Sequence, residues 1–182
     1  MAIQEHELIV LSKVKLRALR LSDSKDLVEI FSDAETMKHW STSEHKSNKE
    51  TFDMIANYLR HDGDSSKSMW ALCSLEGSKK CIGWLSFYAF RPGICELGYI
   101  LHRSFWGRGI MTEVLNWGVR DALDRWQIHR IEAQTSPENV SSMRLLEKVG
   151  FRREGYLRKN YLKDGVFEDT VLFGLLDEDL MS

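Results

Sequence analysis

The sequence predicts an α/β (α+β) fold: a mixed, mostly antiparallel sheet of about seven strands with a parallel central pair, flanked by helices on both faces. Three observations predict it. The chain has 182 residues, 43% of them hydrophobic, with no internal repeat and no low-complexity tract, which is the size and composition of one domain over residues 1–182 with a core from about 14 to 176. Strand-like runs alternate with segments whose apolar residues recur at helical spacing. Three of those runs follow one another across short turns, as in an antiparallel meander, and a strand, a helix and a strand then follow in sequence, as in a parallel crossover.

Taken in order, Leu8 to Leu19 is rich in Leu, Ile and Val and reads as a strand. It ends where Ser22, Asp23 and Ser24 offer N-cap oxygens to a helix carrying Leu27, Val28, Ile30 and Phe31. Asp33 can start a short helix through Met37. Ser47 and Glu50 form a capping-box pattern ahead of Phe52, Ile55, Ala56 and Leu59, and the His61–Asp64 stretch ends that helix. The strands Met69–Leu75, Cys81–Phe90 and Cys95–Leu101 are separated by the turn chemistry of Glu76–Lys80 and of Arg91, Pro92 and Gly93. From Gly109 the period becomes helical through Trp126, and Arg130–Thr135 is a short strand that the crossover rule sets parallel to the one ending at Leu101. Asn139–Val149 is a helix stopped by Gly150, and Phe151–Leu162 and Val166–Leu176 close the chain as a hairpin around Asp164 and Gly165.

Composition removes several function classes. Lys and Arg total 25 against 27 Asp and Glu, so net charge gives no reason to expect nucleic acid as a partner. No apolar run approaches the roughly 20 residues of a membrane-spanning helix, and Met1–Val10 carries Glu5 and Glu7 where a signal peptide would be basic, so no membrane partner and a soluble, cytoplasmic chain are expected. Cys73, Cys81 and Cys95 have neither CxxC nor ligand spacing and read as reduced core residues, and the six histidines show no metal spacing, so no metal is expected. Trp70, Trp84, Phe87, Tyr88 and Phe90 read as core, with some of them available to wall a pocket. The mixed charges of Arg152, Arg153, Glu154, Arg158 and Lys159 read as a solvated hairpin face.

The chemistry concentrates between His102 and Glu113. A loop joining a strand to a helix through Gly107 and Gly109 lets backbone approach a ligand and aims unpaired N–H groups and the positive end of a helix dipole at it, which suits phosphate. Taken alone, two glycines are as often a plain turn. No Gly-Lys-Ser/Thr follows, so this is not a Walker loop, and the third glycine of the dinucleotide fingerprint is missing.

Two segments together say more. Tyr99-Ile-Leu-His-Arg-Ser-Phe-Trp-Gly-Arg-Gly-Ile-Met-Thr-Glu113 and Asn139-Val-Ser-Ser-Met-Arg-Leu-Leu-Glu-Lys-Val-Gly-Phe151, about thirty residues apart, resemble the two acetyl-CoA motifs of the GNAT superfamily of N-acetyltransferases. Trp106-Gly-Arg-Gly109, the Asn-x-x-Ser helix and the tail with Asp164, Gly165 and Asp169 are similar to its ribosomal-protein N-terminal acetyltransferase (Rim-like) branch. The resemblance implies the GNAT fold, with the parallel pair splayed, and acetyl-CoA as co-substrate. It further implies that backbone groups of Ile100, Leu101 and His102 bind the pantetheine arm, that the segment Trp106, Gly107, Arg108, Gly109, Ile110, Met111 and Thr112 holds the diphosphate through its amides, and that Asn139 bonds the pantetheine side. Met111 departs from the family pattern, which has a small residue at the end of the loop.

Acyl transfer to an amine requires a neutral nucleophile and a proton for the departing thiolate. Glu96, on the strand that leads into the loop, is the candidate base; a half-exposed Glu in a cross-strand pair is the equal alternative. Many superfamily members carry a Tyr seven residues after the helix Asn, but position 146 is Leu, so that role is vacant. Ser142 matches the Ser that contacts the cofactor sulfur in the Rim-like branch and is the candidate donor to the thiolate, while first-turn capping would equally explain a Ser there. The acceptor implied is a primary amine, either a protein N-terminal α-amino group or a small molecule such as a polyamine, an amino acid or an aminoglycoside. A non-catalytic CoA-binding module and a phosphate-nucleotide binder are the other readings. The state of association is left open, a homodimer included.

Overall fold

The structure, a computed structural model, describes residues 8–60, 68–75 and 80–180. Two short strands, β1 (Ile9–Val10) and β2 (Val14–Ala18), lead into α1 (Ser24–Phe31), α2 (Ala34–Met37) and α3 (Asn48–Arg60). The meander β3 (Ser68–Ser74), β4 (Cys81–Arg91) and β5 (Ile94–Leu101) follows, then α4 (Ile110–Trp126), β6 (Arg130–Thr135), α5 (Val140–Val149) and the hairpin β7 (Arg152–Lys163) and β8 (Val166–Leu176). The strands form one sheet in the order β1-β2-β3-β4-β5-β6-β8-β7. Every neighbouring pair is antiparallel except β5 and β6, which run parallel as the crossover argument requires.

The sheet has eight strands rather than seven because the Leu8–Leu19 run is not continuous. Leu11 N donates to Val14 O in a turn, and the Ser12 and Lys13 amides donate to the Glu113 carboxylate on α4 instead of to a neighbouring strand. The expected cap of α1 is also different. Asp23 makes no side-chain cap bond to that helix; its carboxylate receives both Arg17 guanidinium nitrogens, at 2.8 and 2.7 Å, and the Arg20 amide. An ion pair with a nearly buried carboxylate outweighs a cap that the preceding 3-10 turn (Leu21–Asp23) makes unnecessary. At α3, Ser47 caps the Glu50 amide as expected, but the Glu50 carboxylate reaches one residue further back, to the Lys46 amide. The expected helix end at His61–Asp64 and the Glu76–Lys79 part of the first meander turn lie outside the described residues.

Each face of the sheet carries its own apolar layer. α4 and α5 pack on one face, where Val114, Leu115 and Val119 meet Leu85, Phe87 and Phe173. α1 and α3 pack on the other, where Leu27, Phe31 and Ile55 meet Met69, Trp84 and Ile100. Side chains of this size contribute about 1.5–3 kcal/mol each by leaving water. Trp70, Trp84 and Phe87 are core, as their types suggest, whereas Tyr88 is only partly covered. Arg152 and Glu154 are not merely solvated: they pair with Asp179 and Arg130. The hairpin turn places Asp164 (φ 50°) and Gly165 (φ 81°) in the left-handed region that the Asp-Gly pair favours.

One glycine sets how closely the meander strands approach beside the cleft. A Cβ on Gly83 of β4 would lie 2.3 Å from the Ile100 carbonyl oxygen on β5, an overlap with backbone that no side-chain rotation relieves. Gly83→Ala is therefore expected to destabilise the fold by about 2 kcal/mol, read as a lower denaturant midpoint with an unchanged slope.

Candidate active site

The parallel ladder between β5 and β6 is short. Its register runs from Ile94 opposite Arg130 to Leu97 opposite Ala133 and ends there. Beyond that point β5 stays with β4, Gly98 pairing with Ser86 and Leu101 with Gly83, while Gln134 and Thr135 of β6 stay with Leu172 and Val171 of β8. The two strands part, and a cavity of about 730 Å³ occupies the opening. Glu96 and Tyr99 both line it, although alternation along β5 sends them to opposite faces, so the cavity passes through the sheet.

On the face covered by α4 and α5, the cavity meets the glycine loop. Gly107 and Gly109 both have φ of 71°, a left-handed conformation that bends the chain sharply into α4. No backbone or side-chain acceptor among the described residues receives the amides of Gly107 through Thr112. Six donors left free at the positive end of a helix make an anion-binding nest. Trp106 fastens the start of the loop by donating its indole N–H to the Leu101 carbonyl at 2.7 Å. Met111, where the family has a small residue, turns its side chain into the core beneath the loop, so its bulk does not crowd the turn.

Opposite the loop stands the N-terminus of α5. The Asn139 side-chain oxygen caps that helix, accepting from the Ser142 amide at 3.1 Å and from the Ser141 hydroxyl at 2.9 Å. The Asn139 side-chain amide donors meet no partner among the described residues. Ser142 Oγ lies 2.8 Å from the Tyr99 phenol oxygen, a bridge across the opening from α5 to β5. Burial pushes the Tyr99 phenol up to about 12, with the Ser142 hydrogen bond opposing, so Tyr99 keeps its proton at neutral pH.

On the other face, Glu96 sits between Tyr88 of β4 and Glu132 of β6 in the sheet register. Two carboxylates side by side on parallel strands repel, and two guanidiniums are present: Arg91 at 2.5 Å and Arg130 at 2.9 Å both go to Glu132. Glu96 has no hydrogen bond or ion pair among the described residues. Burial raises its carboxyl above the ordinary range, Arg91 opposes this, and Glu132 adds to it. Gly98 gives the Tyr88 ring room, since a Cβ there would lie 3.2 Å from Tyr88 Cε1. Glu35, Trp40, Asn160 and Tyr161 complete this half of the cavity. Lys163, at the hairpin end, donates to the Met37 and Lys38 carbonyls, and Ser43 hydrogen-bonds Asp164, so the hairpin is strapped across to the segment after α2.

Most of the residues proposed from sequence thus converge on one cavity: Glu96, Ile100, Leu101, Trp106, Gly107 and Gly109 from β5 and the loop, with Ile110, Met111, Thr112, Asn139 and Ser142 from the two helices. His102 and Arg108 do not line it. His102 caps the Ser104 amide, and Arg108 stacks on the Phe105 ring at 5.1 Å. Among the described residues no group of His, Cys, Asp and Glu has the arrangement of a metal site. Sequence reasoning missed Tyr99 and the wall formed by Glu35, Asn160 and Tyr161. Tyr99 had a signal, its place at the head of the first motif; the wall joins two segments far apart in the chain, and no motif in either singles out these residues.

An amide nest, a splayed parallel pair and a helix cap beside it suit an extended polar arm that ends in a diphosphate. Residues 13–152 match the family model described as an acetyltransferase (GNAT) domain, and the chain belongs to that family of acetyl-CoA-dependent N-acetyltransferases. A probable N-acetyltransferase of Bacillus subtilis, YjcK, is 40% identical over 103 residues, covering 55% of this chain and only 57% of that relative. The alanine N-acetyltransferase of ribosomal protein uS5 from Escherichia coli is 39% identical over 85 residues, which is 47% of this chain and 44% of that enzyme. Among solved structures, Mycobacterium smegmatis RimJ in complex with CoA-disulfide superposes with a TM-score of 0.80 at 28% identity, covering 93% of this chain and 84% of that one.

The cap on α5 is separable from chemistry. Asn139→Ala removes the acceptor of two first-turn groups, and is expected to cost about 1 kcal/mol of stability, seen as a lower unfolding midpoint for the apo protein.

Proposed function

We propose that the chain transfers the acetyl group of acetyl-CoA to a primary amine by direct attack within a ternary complex, with Glu96 as the base and Ser142 as the hydrogen-bond donor to the departing sulfur. The observation that carries this reading is the cavity that passes through the sheet, with a carboxylate on one face that has no hydrogen-bond or ion-pair partner among the described residues and a hydroxyl pair at a helix start on the other. Acetyl-CoA supplies the acyl group as a thioester. Glu96 takes the proton that the ammonium must lose, directly or through water, and its environment favours accepting one: partly buried, beside Glu132, with the arginines committed elsewhere. Ser142, hydrogen-bonded to Tyr99, gives its O–H to the sulfur as negative charge develops there. Tyr99, holding its proton, donates to Ser142 Oγ, which leaves the single Ser142 hydrogen available to the sulfur.

The acceptor best supported is a protein N-terminal α-amino group, given the similarity to the uS5 alanine acetyltransferase. A small polyamine is the second reading, favoured by Glu35 and Glu96 in the acceptor half, where no Lys or Arg is found among the described lining residues; Lys148 lies on α5. Turnover measured with Ala-terminated peptides and with spermidine separates the two. Tight CoA binding without transfer to any amine would overturn the enzyme reading in favour of a binding module.

Glu96→Gln is expected to lower kcat by on the order of 10²-fold with little change in CoA affinity. Because Glu96 acts in its deprotonated form and its carboxyl is shifted upward, wild-type activity should fall as pH drops through a midpoint above the ordinary carboxylate range, and this limb should be absent in the variant. Tyr99→Phe should lower kcat about tenfold, the scale of one hydrogen bond to a charged group, and should have no further effect in a Ser142→Ala background. Equal losses in both backgrounds would separate Tyr99 from Ser142.

A further inference from the structure

We infer that the N-terminal hairpin is a working part of the diphosphate site, and that Lys13 is a positioning residue for the amide nest. The ammonium of Lys13 donates to the Arg108 carbonyl at 3.0 Å, across 95 residues of sequence. It also lies 2.9 Å from where a Gly109 Cβ would be, so it rests directly against the loop. The hairpin that carries it is held in register by Glu113 on the first turn of α4, whose two carboxylate oxygens take the Ser12 and Lys13 amides at 2.8 and 3.1 Å.

The consequence follows from peptide geometry. In a trans peptide the C=O and the next N–H point in opposite directions. By holding the Arg108 oxygen on the hairpin side, Lys13 turns the Gly109 N–H to the other side. The loop agrees with this polarity: Gly107, Gly109, Ile110, Met111 and Thr112 line the cavity, and Arg108 does not. Gly109, in the left-handed region, is a position where the 108–109 peptide could flip at low conformational cost and point the oxygen, instead of the N–H, at an anion. A cation on that oxygen selects the binding orientation before the ligand arrives. Glu113 would otherwise place negative charge at the helix start that receives the diphosphate; with both oxygens engaged by the hairpin, that charge is drawn away from the nest.

The test compares ligands with and without a diphosphate. Lys13→Met keeps the stem and removes the donor; Lys13→Arg keeps a charged donor. Calorimetry with CoA and an NMR titration with pantetheine should show the Met variant binding CoA about tenfold more weakly, the scale of one charge-assisted hydrogen bond, with pantetheine affinity unchanged and the Arg variant near wild type. The deficit should persist at high salt, where a bare through-space attraction between exposed charges is screened. Unchanged CoA binding in the Met variant, an equal loss for both ligands, or a deficit that salt abolishes would overturn the positioning role.

Discussion

The early end of the β5–β6 ladder is the constraint on which this molecule turns. Four residue pairs hold the parallel strands together, and after Leu97 and Ala133 each strand follows its other neighbour. Backbone groups on the inner edges of the opening have lost a strand partner in the middle of a sheet. Unpaired polar backbone at such depth must find another donor or acceptor, and an extended amide-containing arm such as pantetheine is chemically a substitute strand. The opening thus offers an extended ligand a place in the sheet, and the cavity there connects the two faces.

The two faces then divide the chemistry by charge. One presents N–H groups at a left-handed loop and at a helix start, and favours anions chiefly through main-chain donors. The other presents Glu35 and Glu96 with aromatic neighbours, and favours cations. Between them, the arginine pair on Glu132 determines which of two adjacent carboxylates stays ionised and which is left with a raised affinity for a proton. The site is therefore polarised by the arrangement of partners, and the net charge of −2 carries no trace of it.

Segments far apart in the chain stabilise this polarity. The first hairpin reaches the diphosphate loop through Lys13, and the last reaches the segment after α2 through Lys163. Both lysines donate to main-chain carbonyls rather than to acids. Such contacts fix where backbone points, which matters more at a site built from amides than at one built from side chains.

The sequence by itself determined the order of elements, the two motifs and the loop that joins strand to helix, because periodicity, turn residues and glycines act over a few neighbours. Trp106 to Thr112 and Asn139 to Val149 are legible for that reason. It also pointed to Glu96 and Ser142, one at a time. Only the tertiary structure decided what each of them faces. The Leu8–Leu19 run breaks because Glu113, a hundred residues later, takes its amides; Asp23 abandons a helix cap because Arg17 is folded against it; and Ser142 gains a phenol partner because β5 and α5 meet at the opening. Local propensity is a matter of tenths of a kcal/mol up to about 1 kcal/mol per residue, while a buried charge or a lost backbone partner costs more than that, so wherever the two compete the long-range contact prevails.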